Sequence, residues 1–441
     1  MLYIGGVSAA KLAADFQTPL YVYDQKVLED TAETFLTHFQ SEDFATKILY
    51  ASKAFQGIEL LNLYAKKGIG LDVVSGGELF AALQSQLPVE RIYFHGNNKT
   101  PEELTFALIS GVQHIVVDNY MELQVIDQLV RQHQQPLNIC LRLNVGVEAH
   151  THEYIVTSHV DSKFGMAFES AECQACLQLI EANPYLVLEG LHSHIGSQIF
   201  DTAAWYASID ILTGYLKEFS TPLALNIGGG FGIAYTANDD PQPIEGVLES
   251  LVHYVERSLK RQGLEIAELV IEPGRSLVGD AGSTLYTLGY QKETPGKTYY
   301  FVDGGMGDNM RPSLYQAEYA CDIANRMDEP KTQMATIAGK YCESGDVLIK
   351  EAPLPPAQPG DLLVIYKTGA YGYSMSSAYN RNPIPGVVFV KDGVATEVVR
   401  RQSYEDLIRN EIYSRGLNVQ VKEPRQLFDD LNVAKSAAHE G

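Results

Sequence analysis

Between Lys47 and Glu272 the chain repeats one pattern eight times: a short apolar run closing on polar residues or glycine, then an amphipathic stretch of helical period. The apolar runs are Lys47–Lys53, Gly70–Ser75, Arg91–Asn97, His114–Asp118, Asn138–Asn144, Leu188–His194, Leu223–Gly228 and Glu268–Glu272. Strands that alternate with helices are joined by crossovers, which implies a parallel sheet with helices packed on it. Eight such units in about 250 residues match a (β/α)8 TIM-like barrel. A doubly wound open sheet fits the same pattern, but it spreads its strand ends along an edge, whereas a barrel gathers them on one face. All eight runs end in residues capable of chemistry, so the barrel is the expectation.

After Gly274 the texture changes to short alternating runs separated by Gly, Pro and Asp: Ser283–Gly289, Lys297–Asp303, Asp361–Tyr366, Gly386–Val390 and Ala395–Val399. These predict a C-terminal all-β domain, a sandwich or small barrel. The alternating stretch Thr18–Asp24 precedes the first barrel helix and is assigned to the same domain. The expected division is a barrel over 25–280 and a β domain over 1–24 and 281–441. Beyond Ser403 the chain reads as helical, and after Leu427 as a peripheral tail.

Acidic residues outnumber basic ones by 55 to 33, a formal net charge of −22. Such a field repels nucleic acid and acidic membrane surfaces, so neither is an expected partner. No apolar run is long enough to span a bilayer, and Met1–Val7 lacks the basic-then-apolar pattern of a targeting segment. The five cysteines are odd in number and scattered, which suits a reducing cytoplasm better than a disulfide framework. Cys173 and Cys176 have CxxC spacing but lie in a helix-like stretch, Ser170–Ala182, without a second pair or a nearby histidine. His150, His152 and His159 form a loose cluster without distinctive acidic ligands. No metal is expected at either place.

The strand ends carry the chemistry. A lysine closing an apolar run, as Lys53 does, can sit in a dry pocket that favours its neutral amine, a nucleophile suited to a Schiff base with a carbonyl or with pyridoxal phosphate. Taken alone, it reads more simply as a strand-end lysine in water. Asn226–Gly232 holds four glycines in five positions, whose backbone N–H groups can cradle a phosphate or merely form a tight turn. Loops after barrel strands seven and eight commonly hold phosphate, which favours the cradle. Glu272-Pro273-Gly274-Arg275 places a carboxylate where it can hold a protonated ring nitrogen, or form a surface salt bridge. In His192–Ser197, an imidazole stacked on a cofactor ring with Ser197 near its phosphate fits better than two ligands of one metal. Asp72 and Arg142 end the second and fifth runs, where they either steer the protonation of Lys53 or simply solvate the barrel mouth.

In their order along the chain, from about Thr18 to Tyr379, these motifs resemble those of the diaminopimelate decarboxylases, a family in the alanine-racemase-like class of pyridoxal-phosphate enzymes. The matching segments are Tyr50–Lys53, Asp72–Glu78, His95–Lys99, Asp161–Gly165, His192–Gln198, Gly228–Gly232, Glu272–Arg275, Cys342–Asp346 and Gly369–Gly372. The resemblance implies that Lys53 carries pyridoxal 5'-phosphate as a Schiff base, that His194 stacks on the ring and that Glu272 holds the protonated pyridine nitrogen. Ser197 and the backbone of Gly229 and Gly230 would hold the phosphate, helped by Tyr371 and the Gly274–Arg275 loop. Asp72 and Arg142 fall in the family's polar network around the lysine.

By the same resemblance the chain forms a homodimer with shared active sites. Cys342 would reach the neighbouring subunit's site to protonate the substrate α-carbon. Glu343 would meet the distal ammonium of an amino-acid substrate; Arg311, Tyr315 and Arg275 would meet its distal carboxylate, beside Tyr371. The implied reaction converts meso-2,6-diaminopimelate to L-lysine and carbon dioxide. Rivals are a decarboxylase of another basic amino acid or of carboxynorspermidine, a racemase, a non-catalytic pyridoxal-phosphate carrier and a metal-dependent barrel hydrolase. The last is ranked lowest because no carboxylate–histidine cluster stands out. Ala378 departs from the polar residue more usual at its position, and no consequence follows from it.

Overall fold

The computed structural model describes residues 1–147 and 162–412. A short hairpin (Tyr3–Ile4 with Val7–Ser8) and helix α1 (Ala9–Phe16) precede strand β1 (Leu20–Asp24), which runs directly into α2 (Gln25–His38). Asp24 makes that change of direction: its Oδ1 accepts from the N–H groups of Lys26 at 3.0 Å and Val27 at 3.3 Å, so the strand's last residue caps the helix.

Eight parallel strands then close a barrel: β2 (Ala45–Ala51), β3 (Gly70–Val73), β4 (Ile92–Phe94), β5 (His114–Val117), β6 (Leu137–Arg142), β7 (Leu186–His192), β8 (Ala224–Asn226) and β9 (Glu268–Ile271). The ring is completed where β9 pairs with β2, from Glu268 opposite Ala45 to Ile271 opposite Ile48. Covering helices are α3 (Ile58–Lys67), α4 (Gly76–Ala82), α5 (Pro101–Ile109), α6 (Tyr120–His133), α7 (Ala171–Ala182), α8 (Ala203–Tyr215) and α9 (Ile244–Gln262). Their starts are written in sequence: Ser75, Thr100, Asn119 and Ser170 each accept a backbone N–H three residues on. Helix α9 shows why these segments lie flat on the sheet, burying Val247, Leu248, Leu251, Val252, Val255 and Leu259 along one stripe.

All eight expected strands are present, but their C-terminal ends fall short of the expected ones. The run to Lys53 stops pairing at Ala51, that to His194 at His192, and that to Glu272 at Ile271. Periodicity marks an apolar run, whereas the end of a ladder depends on the neighbouring strand's register. Lys53, His95, His194, Ser197 and Glu272 therefore stand just past the strand ends, while Asp72, Arg142 and His192 lie within the last residues of theirs.

Leu49, Tyr93, Val116, Cys140 and Val270 fill the middle of the barrel. Below them, the N-terminal end is closed by polar side chains: Lys47 pairs with Glu268 at 2.7 Å, Tyr93 donates to Glu189 at 3.1 Å, and His114 lies 2.8 Å from Glu189. Among the described residues the opposite end is left open. A fully enclosed ion pair supports that open end. Lys99 Nζ donates to the carbonyls of Gly96 at 2.7 Å and Val116 at 2.9 Å and lies 2.7 Å from Glu122, with side chains 1% and 3% exposed.

Beyond the barrel come β10 (Gly282–Thr294), β11 (Lys297–Val302), β12 (Cys321–Ile323), β13 (Gln333–Ala338), β14 (Val347–Leu354), β15 (Leu362–Tyr366), β16 (Gly386–Lys391) and β17 (Val394–Val399). The order is β14-β13-β11-β10-β1-β16-β17, with β15 paired to β10 and β12. The long β10 links two sheets: its first half pairs with β1 and β15, and from Leu288 onward it pairs with β11 across a register break between Leu288 and Gln291. Strands β12, β13 and β14 are absent from the sequence expectation. The first is three residues long, and β14 carries Lys350, Glu351 and Pro353, tolerated because it lies at the edge of the sheet. A short helix α10 (Tyr404–Ile408) follows Ser403 as expected, and the tail beyond Leu427 lies outside the described residues. No helix among the described residues is long and apolar enough to cross a membrane.

Removing one partner of the Lys99–Glu122 pair leaves a buried charge unmatched. Lys99→Met should therefore cost about 3–5 kcal/mol in denaturant unfolding. Lys99→Met/Glu122→Leu should recover most of that; no recovery would mean that Lys99 acts through its two carbonyl contacts alone.

Candidate active site

At the open end of the barrel lies a cavity of about 660 Å³. Lys53, Asp72, Arg142, His194, Ser197, Gly230, Glu272, Gly274, Arg275 and Tyr371, drawn from distant parts of the sequence, all line it. Lys53 is the only lysine among the described lining residues. It stands on a single turn, Ser52–Ala54, whose base is fixed by Ser52 Oγ, 2.8 Å from the Asp72 carbonyl and 3.0 Å from Glu78. Of the two readings of Lys53, the dry strand end is not the one that forms. With β2 ended at Ala51, Lys53 lies past the ladder, exposed at the cavity mouth.

Glu272 is the polar centre of the cavity floor, 6% exposed. His192 Nε2 donates to its Oε2 at 3.0 Å and Asn226 Nδ2 to its Oε1 at 2.7 Å. His95 Nε2 lies 2.9 Å from Oε1, too poorly aligned for a hydrogen bond but close enough for strong attraction, and 3.9 Å from Asp72 Oδ1. Burial works to raise the Glu272 carboxyl, but the two imidazoles outweigh it and hold the group well below the usual carboxylate range. For His95 burial works downward, and the carboxylates of Asp72 and Glu272 reverse the sign, so its pKa is raised. His192 goes the other way, pushed down to about 4 chiefly by burial. Asp72 is raised, again chiefly by burial.

His194 Nδ1 accepts from the Gly229 N–H at 3.3 Å, which leaves a proton on Nε2 in the neutral ring. Burial first, and then the charge of Lys53, lower its pKa to about 3. Alternate residues of a strand face the same side, and both His192 and His194 do reach the cavity. Beside them the glycine loop packs too closely for any side chain. A Cβ on Gly229 would stand 2.1 Å from the Glu272 carbonyl oxygen, and one on Gly230, at φ +106°, 2.6 Å from that of Gly196. Arg275 reaches over this loop, donating from Nη2 to Ser197 Oγ at 3.1 Å with its guanidinium 4.9 Å from the Tyr371 ring. Tyr371 comes from the β domain, and its N–H donates to the Ala54 carbonyl at 2.8 Å, next to Lys53. Arg142 lies 3.8 Å from Asp118 with its guanidinium 4.4 Å from the Phe164 ring.

Comparison with known proteins bears directly on this arrangement. The family model for the pyridoxal-binding domain of pyridoxal-dependent decarboxylases matches residues 27–279. The chain is 46% identical over 414 residues to diaminopimelate decarboxylase of Bacillus subtilis, covering 92% of this chain and 94% of that one. It is 42% identical to the enzyme of the same name from Staphylococcus aureus, covering 93% and 97%. A crystal structure of diaminopimelate decarboxylase from M. jannaschii in co-complex with L-lysine matches with a TM-score of 0.86 at 31% identity, covering 93% and 99%. The chain belongs to the diaminopimelate decarboxylases.

Members of this family are pyridoxal-phosphate-dependent decarboxylases, and the residues present fit that cofactor. They offer an amine at the mouth, a buried carboxylate held ionised, and a backbone cradle that a single Cβ would fill. Gly229, whose N–H goes to His194, is not among the residues that line the cavity, and four other expected site residues do not join the cavity of their own chain. Arg311 is buried behind it, donating to Tyr319 Oη at 2.6 Å, while Tyr315, Cys342 and Glu343 are exposed on the β domain. There Tyr379 Oη donates to Glu343.

Sequence reading misses a carboxylate–histidine cluster, yet His95, His192 and Glu272 bring three ligand-type atoms within 4.8 Å of one another. They come from the ends of β4, β7 and β9, so no spacing could reveal that they meet; the only trace was that each heads a recognisable segment. Asn226 and Tyr235 carried no signal for the same reason. Cys173 and Cys176 are buried in α7, away from the cavity, with thiols pushed by burial to about 11 and 12. His150, His152, His159 and Asp161 lie outside the described residues.

The depressed pKa of His192 has a testable sign. Between about pH 6.5 and pH 4 the unfolded residue binds a proton that the folded one refuses, so acid favours unfolding. From pH 7 to pH 5 the protein should lose more thermal stability than His192→Asn does. Equal losses in both would rule out a neutral, buried His192.

Proposed function

We propose that this chain decarboxylates meso-2,6-diaminopimelate to L-lysine and carbon dioxide, the last step of lysine biosynthesis, as a cytoplasmic homodimer. The observation that carries the chemistry is the buried carboxylate of Glu272 held ionised by two histidines, in one cavity with Lys53. Support for the substrate comes from the names of its relatives and from the L-lysine held by a structural neighbour, since lysine is the proposed product.

When bound, pyridoxal phosphate supplies an electron sink for the electron pair left behind by departing carbon dioxide. In our reading Lys53 provides the amine that attaches the cofactor and later releases the product. Glu272 would keep a proton on the ring nitrogen through a charge-assisted hydrogen bond, with His95 and His192 keeping the carboxylate ionised. His194, neutral and fixed by Gly229, would offer a flat face to the ring. Ser197, the Gly230 backbone and the Gly274–Arg275 loop would hold the phosphate, with Tyr371 at its side. Asp72 and Arg142 set the charge around the lysine.

The proton that replaces carbon dioxide is assigned to Cys342 of a neighbouring subunit. This reading is supported by the exposure of Cys342 and Glu343 and by their place outside their own chain's cavity. The same subunit contact would bring Glu343 to the distal ammonium. Arg275, Arg311 and Tyr315 would meet the distal carboxylate, a natural use of the planar guanidinium. Substrates lacking that carboxylate would leave buried arginine unmatched and be rejected strongly. Five cysteines without a disulfide suit the cytoplasm.

Cofactor-loaded protein should release carbon dioxide from diaminopimelate and not from ornithine, arginine or lysine; release from ornithine at a comparable rate would overturn the substrate assignment. Lys53→Ala should lose the cofactor's visible absorbance. Mixed with Cys342→Ala under conditions of proven subunit exchange, it should regain up to about a quarter of wild-type activity, because half of randomly mixed dimers are hybrids with one intact site. No recovery would exclude a site shared in this way.

A further inference from the structure

Tyr235, in the loop after β8, has a position that the reading so far leaves unused. It is buried, and although it belongs to a barrel loop its ring packs into the core of the β domain with Tyr319, Tyr286 and Leu288. Its backbone is fixed: Asp239 Oδ2 accepts from the N–H groups of Tyr235 and Thr236, each at 2.9 Å. Two guanidinium groups from different domains lie against its ring, that of Arg275 at 5.6 Å from the centroid and that of Arg311 at 5.0 Å. Its hydroxyl also accepts from Arg275 Nη1 at 2.6 Å. Tyr319 packs edge-on against the same ring at 5.1 Å and accepts from Arg311 Nη1 at 2.6 Å.

The described hydrogen bonds of both guanidinium groups thus end on hydroxyl oxygens, and none ends on a carboxylate. Arg275 Nε is buried with no partner among the described residues. Two cations brought to one ring repel each other, and an aromatic face returns only a modest attraction to each. A tyrosine that fixes both, without neutralising either, leaves a paired positive site prepared for an anion of carboxylate shape. We propose that Tyr235, backed by Tyr319, is a positioning residue that holds Arg275 and Arg311 at the spacing needed to grip the substrate's distal carboxylate. The proposal rests on the distal-carboxylate reading above and adds to it the element that aligns a barrel arginine with a β-domain arginine.

The test uses cofactor-loaded full-length protein and two ligands, L-lysine and 1,5-diaminopentane, which is lysine without its carboxylate. Calorimetry on the wild type should show a clear preference for lysine. Tyr235→Phe, which keeps the ring and loses the hydroxyl, should reduce that preference by about three- to tenfold, and Tyr235→Leu by more, with diaminopentane affinity and cofactor absorbance unchanged in both. KM for diaminopimelate should rise in parallel while kcat stays near the wild-type value. Should Tyr235→Leu fail to fold, Tyr235→Phe decides alone. An unchanged preference in the variants, or equal weakening of both ligands, would overturn the positioning role. A wild type that does not prefer lysine would instead overturn the distal-carboxylate reading beneath it.

Discussion

A carboxylate buried at the floor of a cavity is costly unless its charge is matched, and the arrangement around Glu272 follows from meeting that cost. One oxygen takes the His192 proton and the other takes the Asn226 amide, while His95 lies close to both Glu272 and Asp72. The histidines divide the task. Burial keeps His192 neutral as a donor, whereas two neighbouring carboxylates raise His95 toward its cationic form. Glu272 remains ionised although every force of burial acts against it, and an ionised group at this depth is what a protonated pyridine ring needs as a partner.

Closure of the barrel makes this possible. Glu272, His192, Asn226 and His95 lie at the C-terminal ends of β9, β7, β8 and β4, and only a cylinder brings such ends to one place. The polar closure through Lys47, Glu189, His114 and Glu268 and the apolar layer above it shut the other end, so the cavity opens on one side. The β domain is bound to that side rather than appended to it. Tyr371 bonds to the turn that carries Lys53, and Tyr235 sends a barrel loop into the β-domain core. Both domains therefore hold the turn and the loops that surround the cavity.

Much of this was legible in the chain. Eight apolar runs with interleaved helical stripes pointed to the barrel, and Lys53, Asp72, His194, Ser197, Glu272 and Arg275 were recognisable because each sits in a distinctive local segment. Strand ends were not legible, because pairing depends on a neighbour's register; this moved Lys53 from the end of a strand to a turn beyond it. Edge strand β14 escaped notice because charges and proline interrupt its alternation.

By itself the sequence determined the βα repeat, the change to a β domain, the glycine loop and the family, since all of these are local patterns read in order. Tertiary structure alone decided which side chains meet. The pairing of His95 with Glu272 joins positions 177 residues apart, and the sharing of Tyr235 by Arg275 and Arg311 joins two domains. Protonation at the cavity floor was decided there too, because a histidine's charge depends on its burial and on the carboxylates beside it, and neither is fixed until the chain has folded.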